Sequence, residues 1–240
     1  MNINPNQNVH SSSRSATREF DAGLQAHMQK VYKVMSFGLV VTAVVGMAIA
    51  SSEAAINLIF GTPLQWVILF APLAIIWFGF TPKRAHRMST GQLRGVFYGL
   101  SALYGATFSI LFLMFTGESL MRVFFITAGT FAAMSILGYT TKKDLTNMGA
   151  FLLMGLIGII IASVVNLFIV STMVSFVVSI LGVLIFTLMT AYDTQRIKES
   201  YAYSHGDVAN DKMATLGALS LYLNFIFLFQ NLVHLMGQQR

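Results

Sequence analysis

Apolar residues come along this chain in long blocks, and polar residues are short interruptions between them. Near the N-terminus the pattern is different. Phe20, Leu24, Met28, Val31 and Met35 recur three or four residues apart, while Arg18, Glu19, Lys30 and Lys33 fall elsewhere on the same helical projection. This predicts an amphipathic juxtamembrane helix over 17–33 that lies at the membrane surface and leads into the first block. Residues 1–16, rich in Asn, Ser and Gln with little to bury, are expected to form a disordered cytoplasmic tail.

A helix of about 20 apolar residues crosses about 30 Å of hydrocarbon. Seven segments meet that requirement, roughly 34–51, 63–81, 95–115, 122–139, 148–167, 169–192 and 213–236. The fifth and sixth form one run from Gly149 to Tyr192, which is about 65 Å at 1.5 Å per residue and about twice a bilayer. The chain must turn back inside it, and Asn166 with the Ser171-Thr172 pair marks the place. The expectation is an all-α membrane protein with one seven-helix transmembrane domain over 34–236.

Composition agrees: 55% of residues are hydrophobic and 10% charged, where a soluble domain carries about a quarter charged residues. The net charge of +6 does not point to nucleic acid, because the basic residues sit in short loops between apolar spans and read as topology signals. With the N-terminus in the cytoplasm, Arg14, Arg18, Lys30, Lys33, Lys83, Arg84, Arg87, Arg94, Lys142, Lys143, Arg196, Lys198 and Lys212 fall inside. Only Arg122 and Arg240 fall outside, thirteen against two. Seven spans put the C-terminus on the far side; six plus a re-entrant segment would leave it in the cytoplasm. There is no cysteine, so thiolate chemistry and disulfides are excluded. The polar first thirty residues hold no compact apolar core with a cleavage site, so the first span is expected to serve as its own insertion signal. Small residues four apart, Gly95/Gly99, Ser101/Gly105/Ser109 and Gly158/Ala162, are expected where helices approach closely.

Catalysis finds little support. No His-Glu-x-x-His helix, no Gly-x-Ser with a partner His in a later span, no second aspartate in a span, no P-loop and no dinucleotide fingerprint occurs. No catalytic residue, metal set or cofactor is predicted. The polar groups that remain in spans concentrate on the last one. Ser220, Asn224 and Asn231 share a face, and Gln230 and His234 form a second pair one turn apart. In lipid such side chains point to protein or water, so this helix suits the centre of a bundle, and plain interhelical hydrogen bonding would serve as well. Asp193 closes the sixth apolar block. It is either an interfacial acid, solvated or paired with Arg196 one turn on, or a titratable gate whose protonation rearranges its neighbours. Glu53 and Glu118 read as acids of outward-facing loops.

The stretch Tyr192-Asp193-Thr194-Gln195-Arg196 strongly resembles the signature at the end of the sixth span in the Bax inhibitor-1 family. Two further stretches agree in order and spacing: 131–145, with Ser135, Gly138 and Tyr139, and 219–225, with Tyr222 and Asn224. The likeness covers about residues 20–236 and resembles a bacterial member. It implies seven helices with the last one central, in the bacterial inner membrane. It also implies a pH-sensitive calcium leak, Ca2+ being the permeant ion, gated by a pair of aspartates on helices six and seven. Asp193 matches the first aspartate. Asn224 stands where the second would be, and an Asp–Asn pair cannot share a proton as two acids do. Tyr192, Arg196, Tyr222 and Asn231 are the supporting residues, with Arg196 competing for the charge of Asp193. Some relatives have an outer acid–base pair, which would fall on Glu53 and His234 here. A rival reading follows from bacterial members that resemble non-conducting modulators of a membrane-anchored ATP-dependent protease; the polar N-terminal segment would then be a docking arm.

Overall fold

A computed structural model of the chain describes residues 21–202 and 206–240, without the side chains at 82, 83 and 86. The tail expected over 1–16, and the amphipathic segment up to Phe20, lie outside the described residues. Helix α1, described over Asp21–Ala50, runs without a break from the amphipathic segment into the first span. Its periodic face is turned into the protein. Leu24, Met28, Val31 and Met35 are buried in one core with Phe97, Ala214 and Ala218 of later helices.

A short helix α2 (Glu53–Phe60) precedes the second apolar block. That block, expected as one span over 63–81, is a helix α3 (Leu64–Ala74) continued by a π-helical turn (Ile75–Gly79). Helix α2 meets it at 77° across Gly61, Thr62 and Pro63. Pro72 accounts for the irregularity further on, because proline has no N–H for the carbonyl one turn earlier. That carbonyl, on Ile68, has the Thr107 hydroxyl of the later helix 3.4 Å away, although the hydroxyl lies closer, at 3.0 Å, to the Leu103 carbonyl of its own helix; the π turn follows within three residues. A small helix α4 (Pro82–Arg87) then leads to α5 (Thr90–Met114), which opens on a capping box of Ser89 and Gln92.

Helices α6 (Gly117–Thr140), α7 (Thr146–Ile169), α8 (Thr172–Ser200) and α9 (Gly206–Met236) complete the chain. The turn-back falls where the polar residues predicted it. Val170 adopts a left-handed conformation, φ 51°. Asn166 braces the turn from both sides, accepting from the Ser171 N–H at 3.0 Å and donating to the Ser175 hydroxyl at 2.7 Å. At the start of α7 the Asp144 carboxylate accepts from the Thr146 N–H at 2.8 Å. Hydrogen bonds from the Thr146 side chain and backbone hold its carboxyl below the ordinary carboxylate range.

Among the described residues six helices are long and apolar enough to cross a membrane, and a seventh crossing results if the bent pair α2 and α3 with its π turn counts as one. Helix α9 is the most enclosed. Of its most apolar stretch 61% is buried, against 11% for α7. It packs on α1, α5, α6 and α8, whereas α7 turns Phe151, Ile157, Ile161 and Phe168 outward. Helices α1 and α5 run in the same direction: Lys30 and Arg94 meet at Asp211, and further along the Thr42 hydroxyl donates to the Ser101 carbonyl at 2.9 Å. The chain between Ala50 and Thr90 therefore has to come back along the bundle.

The small residues divide into two groups. A Cβ at Gly105 would stand 2.7 Å from the Thr42 carbonyl oxygen, and one at Gly138 would run into the Ala191 backbone, so both mark close helix approaches. Gly95, Gly99 and Gly158 meet nothing within 4 Å, which corrects the expectation that those spacings are packing motifs. Gly138→Val is accordingly expected to lower stability by more than about 2 kcal/mol through overpacking. Gly95→Ala is expected to be neutral or stabilising by up to about 1 kcal/mol; thermal unfolding in detergent checks both. A second test is pH-dependent. A carboxyl titrating lower in the folded state than in the unfolded one stabilises fully above the ordinary carboxylate range and loses that effect as pH falls through its lowered value. Asp144→Ala should lower the thermal midpoint at pH 7, with the gap to the wild type closing in strong acid.

Candidate functional site

Thr190, Asp193, Thr194 and Ile197 lie three and four residues apart on α8, hence on one face, and all four are buried. Asp193 is only 7% exposed and sits inside a helix that continues two turns beyond it to Ser200, rather than at the helix end. The Asn224 amide of α9 donates to Asp193 Oδ2 at 2.7 Å. The two residues that the resemblance pairs are thus in direct contact. Arg196, one turn further, points outward and makes no ion pair with Asp193; the ion pairs among the described residues are Lys30–Asp211, Arg94–Asp211 and Arg122–Glu118. Asp193 is thus neither open to solvent nor ion-paired with Arg196 among the described residues.

The other residues of the signature tie the same region together. Gln195 accepts from the Leu145 N–H at 2.8 Å and donates to the Lys143 carbonyl at 2.9 Å, fastening the α6–α7 connection to α8. Lys198 donates to the Tyr139 carbonyl at 2.8 Å, with its ammonium over the Tyr139 ring. The Thr194 hydroxyl is shared between the Thr190 carbonyl, at 2.7 Å, and Ser135 Oγ, at 3.0 Å; Ser135 in turn meets the Tyr32 hydroxyl at 2.7 Å. Tyr32 and Ser135 also line a cavity of about 680 Å³ between α1 and α6, with Asp21, Gln25 and Gln29 at its polar margin. A row of hydroxyls thus leads from this cavity to the residue next to Asp193.

On α9, Tyr222 is fully buried. Its hydroxyl meets Thr42 Oγ1 at 2.7 Å, and its ring stands edge-on to Phe97 and Tyr104. Asn231 donates to its own helix at the Phe227 carbonyl, 2.7 Å, and lies against Gly182 of α8, where a Cβ would stand 2.7 Å from its amide nitrogen. The Tyr192 ring covers Gly149 of α7 in the same manner. These supporting residues hold helices together at short range.

Glu53 and His234, the outer acid and base that the resemblance pairs, are not ion-paired among the described residues. Glu53 is exposed in the first turn of α2. His234 instead shares a cavity of about 390 Å³ with Gln230, Tyr104 and Thr107. Among the described residues no three His, Asp or Glu side chains come close enough to hold a metal ion, so Asp193 and Asn224 offer one carboxylate and one amide. Sequence reasoning missed Thr42, Tyr32, Thr194, Ser135 and Gln195 as site-building residues. The last three lie inside the family motifs, and the signal available was a polar residue facing the interior of a span.

Comparison with known proteins fits this geometry. The family model described as "Inhibitor of apoptosis-promoting Bax1" matches residues 24–240. The chain is 40% identical over 222 residues to inner membrane protein YbhL of Escherichia coli (strain K12), covering 91% of this chain and 94% of that one. It is 42% identical over 236 residues to an uncharacterized protein of Caulobacter vibrioides, with 94% and 93% covered. It is also 40% identical over 229 residues to protein RP147 of Rickettsia prowazekii, with 95% and 96% covered. Matched over nearly its whole described length, and with the three motifs meeting around α8, the chain belongs to the Bax inhibitor-1 family of membrane proteins.

Proposed function

We propose that this protein is a cation leak pathway of the bacterial inner membrane, with Ca2+ the ion to test first. Its closed state would be held by the Asp193–Asn224 contact. One observation carries the reading: a carboxylate buried between two spanning helices whose close partner is an amide on the neighbouring helix. Ionisable side chains inside a membrane domain are costly and mark ion or proton pathways, and this one lies next to the hydroxyl row that opens at the α1–α6 cavity. In this reading α9 is the central helix, supported by its burial. The bent α2–α3 segment is the seventh crossing, supported by the shared direction of α1 and α5. The N-terminus is cytoplasmic, supported by the Lys and Arg distribution. The chemistry asked of Asp193 is modest. Releasing Asn224 would free α8 to move against α9 and leave one acid facing the passing cation.

The test is Ca2+ flux into proteoliposomes from pH 5 to 8. Wild-type flux is expected to vary with pH, and Asp193→Asn, which keeps the shape and removes the charge, is expected to flatten that profile. Asn224→Asp restores a two-acid pair and should split the profile into two steps. A profile unchanged by Asp193→Asn would place the gate elsewhere. No flux above empty liposomes at any pH would overturn the conducting reading in favour of a partner-binding protein.

A further inference from the structure

Where the basic residues gather, α1 and α5 lie side by side and a cavity of about 640 Å³ opens between them. Lys30, Lys33 and Arg94 line it, with Gln29 beside them and Phe37 and Tyr98 further in. Among the described residues the acid ion-paired with these cations is Asp211, bonded to Lys30 and 3.7 Å from one Arg94 nitrogen. Three cations against one carboxylate leave about two positive charges in one groove, which calls for an anion. Lys33 makes no ion pair among the described residues, and Arg94 Nε is buried without a hydrogen-bond partner.

The rest of the groove says what kind of anion. Phe37 and Tyr98 meet edge-on at 5.0 Å. Phe37 and, further along the same face of α1, Val40 and Val44 stand exposed by 55%, 56% and 55%, an apolar track. From Lys33 to Val44 is about 16 Å of helix, about the hydrocarbon depth of one leaflet. A free phosphate would use the cations and leave the aromatic pair and the track without purpose. A phospholipid uses all three. Basic pockets between helices are known binding places for anionic head groups.

We propose that this groove binds an anionic phospholipid, with Lys33 and Arg94 on the phosphate and an acyl chain along Phe37, Val40 and Val44. The site is separate from Asp193 and does not depend on the leak reading. It is tested on the full chain in neutral detergent, by native mass spectrometry and by the thermal midpoint with added phosphatidylglycerol, phosphatidylcholine or inorganic phosphate. Phosphatidylglycerol is expected to bind in preference to phosphatidylcholine and to raise the midpoint. Lys33→Gln should weaken it about five-fold, and Lys33→Gln with Arg94→Gln about thirty-fold, each cation near a membrane surface being worth about that factor. Lys142→Gln, a control in the α6–α7 connection, should leave binding unchanged. Lys33 is exposed, so its single variant carries the test if loss of Arg94 disturbs folding. Equal binding of the two lipids, equal loss in the Lys142 variant, or inorganic phosphate acting as strongly as phosphatidylglycerol would each overturn the proposal.

Discussion

A carboxylate buried between membrane-spanning helices is stable only with a hydrogen-bond donor beside it. Asp193 finds Asn224, and that one contact sets where α9 can stand. Once Asn224 is held against α8, Asn231 falls on Gly182 and Gly217 on Ile197, so α8 and α9 pack antiparallel along their length. Tyr222, two residues before Asn224, then reaches across to Thr42 of α1. The enclosed position of the last helix and the register of its neighbours follow from satisfying one charge-bearing group.

The three family motifs are one structural unit. Residues 131–145 supply Ser135 for Thr194, Gly138 for the close approach to Ala191, and the backbone that Gln195 grips. Residues 219–225 supply Tyr222 and Asn224. The Tyr192–Arg196 stretch is the hub that touches both. At the basic end the arrangement is also communal: Lys30 of α1 and Arg94 of α5 converge on Asp211 of α9, while the His27 ring packs against Tyr201 at the end of α8.

Six of the expected spans correspond to helices long and apolar enough to cross a membrane, because a membrane enforces one rule, an apolar length matched to a bilayer. The turn at Asn166–Thr172 was legible because polar residues interrupt an apolar run only where the backbone needs them. The irregularities around the second block were harder to read, since their causes are local: the chain bends at Gly61–Pro63, and Pro72 removes a backbone donor just before the π turn. The motif likeness brought Asp193 and Asn224 together, but composition alone would have left Asp193 at a helix end. The partners of Thr42 and Ser135 lie on helices remote in sequence, so no spacing rule could name them. Glu53 and His234 form no ion pair among the described residues. A distance counted along one helix does not fix what another element brings beside it.

The most direct test of this account is a double-mutant cycle on unfolding, with Asp193→Leu and Asn224→Leu alone and together. Asn224→Leu leaves a buried carboxylate unpaired and is expected to cost about 3–5 kcal/mol. Asp193→Leu leaves a buried amide unpaired and should cost about 1–3 kcal/mol. The double variant is expected to recover most of the loss, giving strong coupling between the two positions. Losses that simply add would contradict the claim that this single contact sets the α8–α9 core.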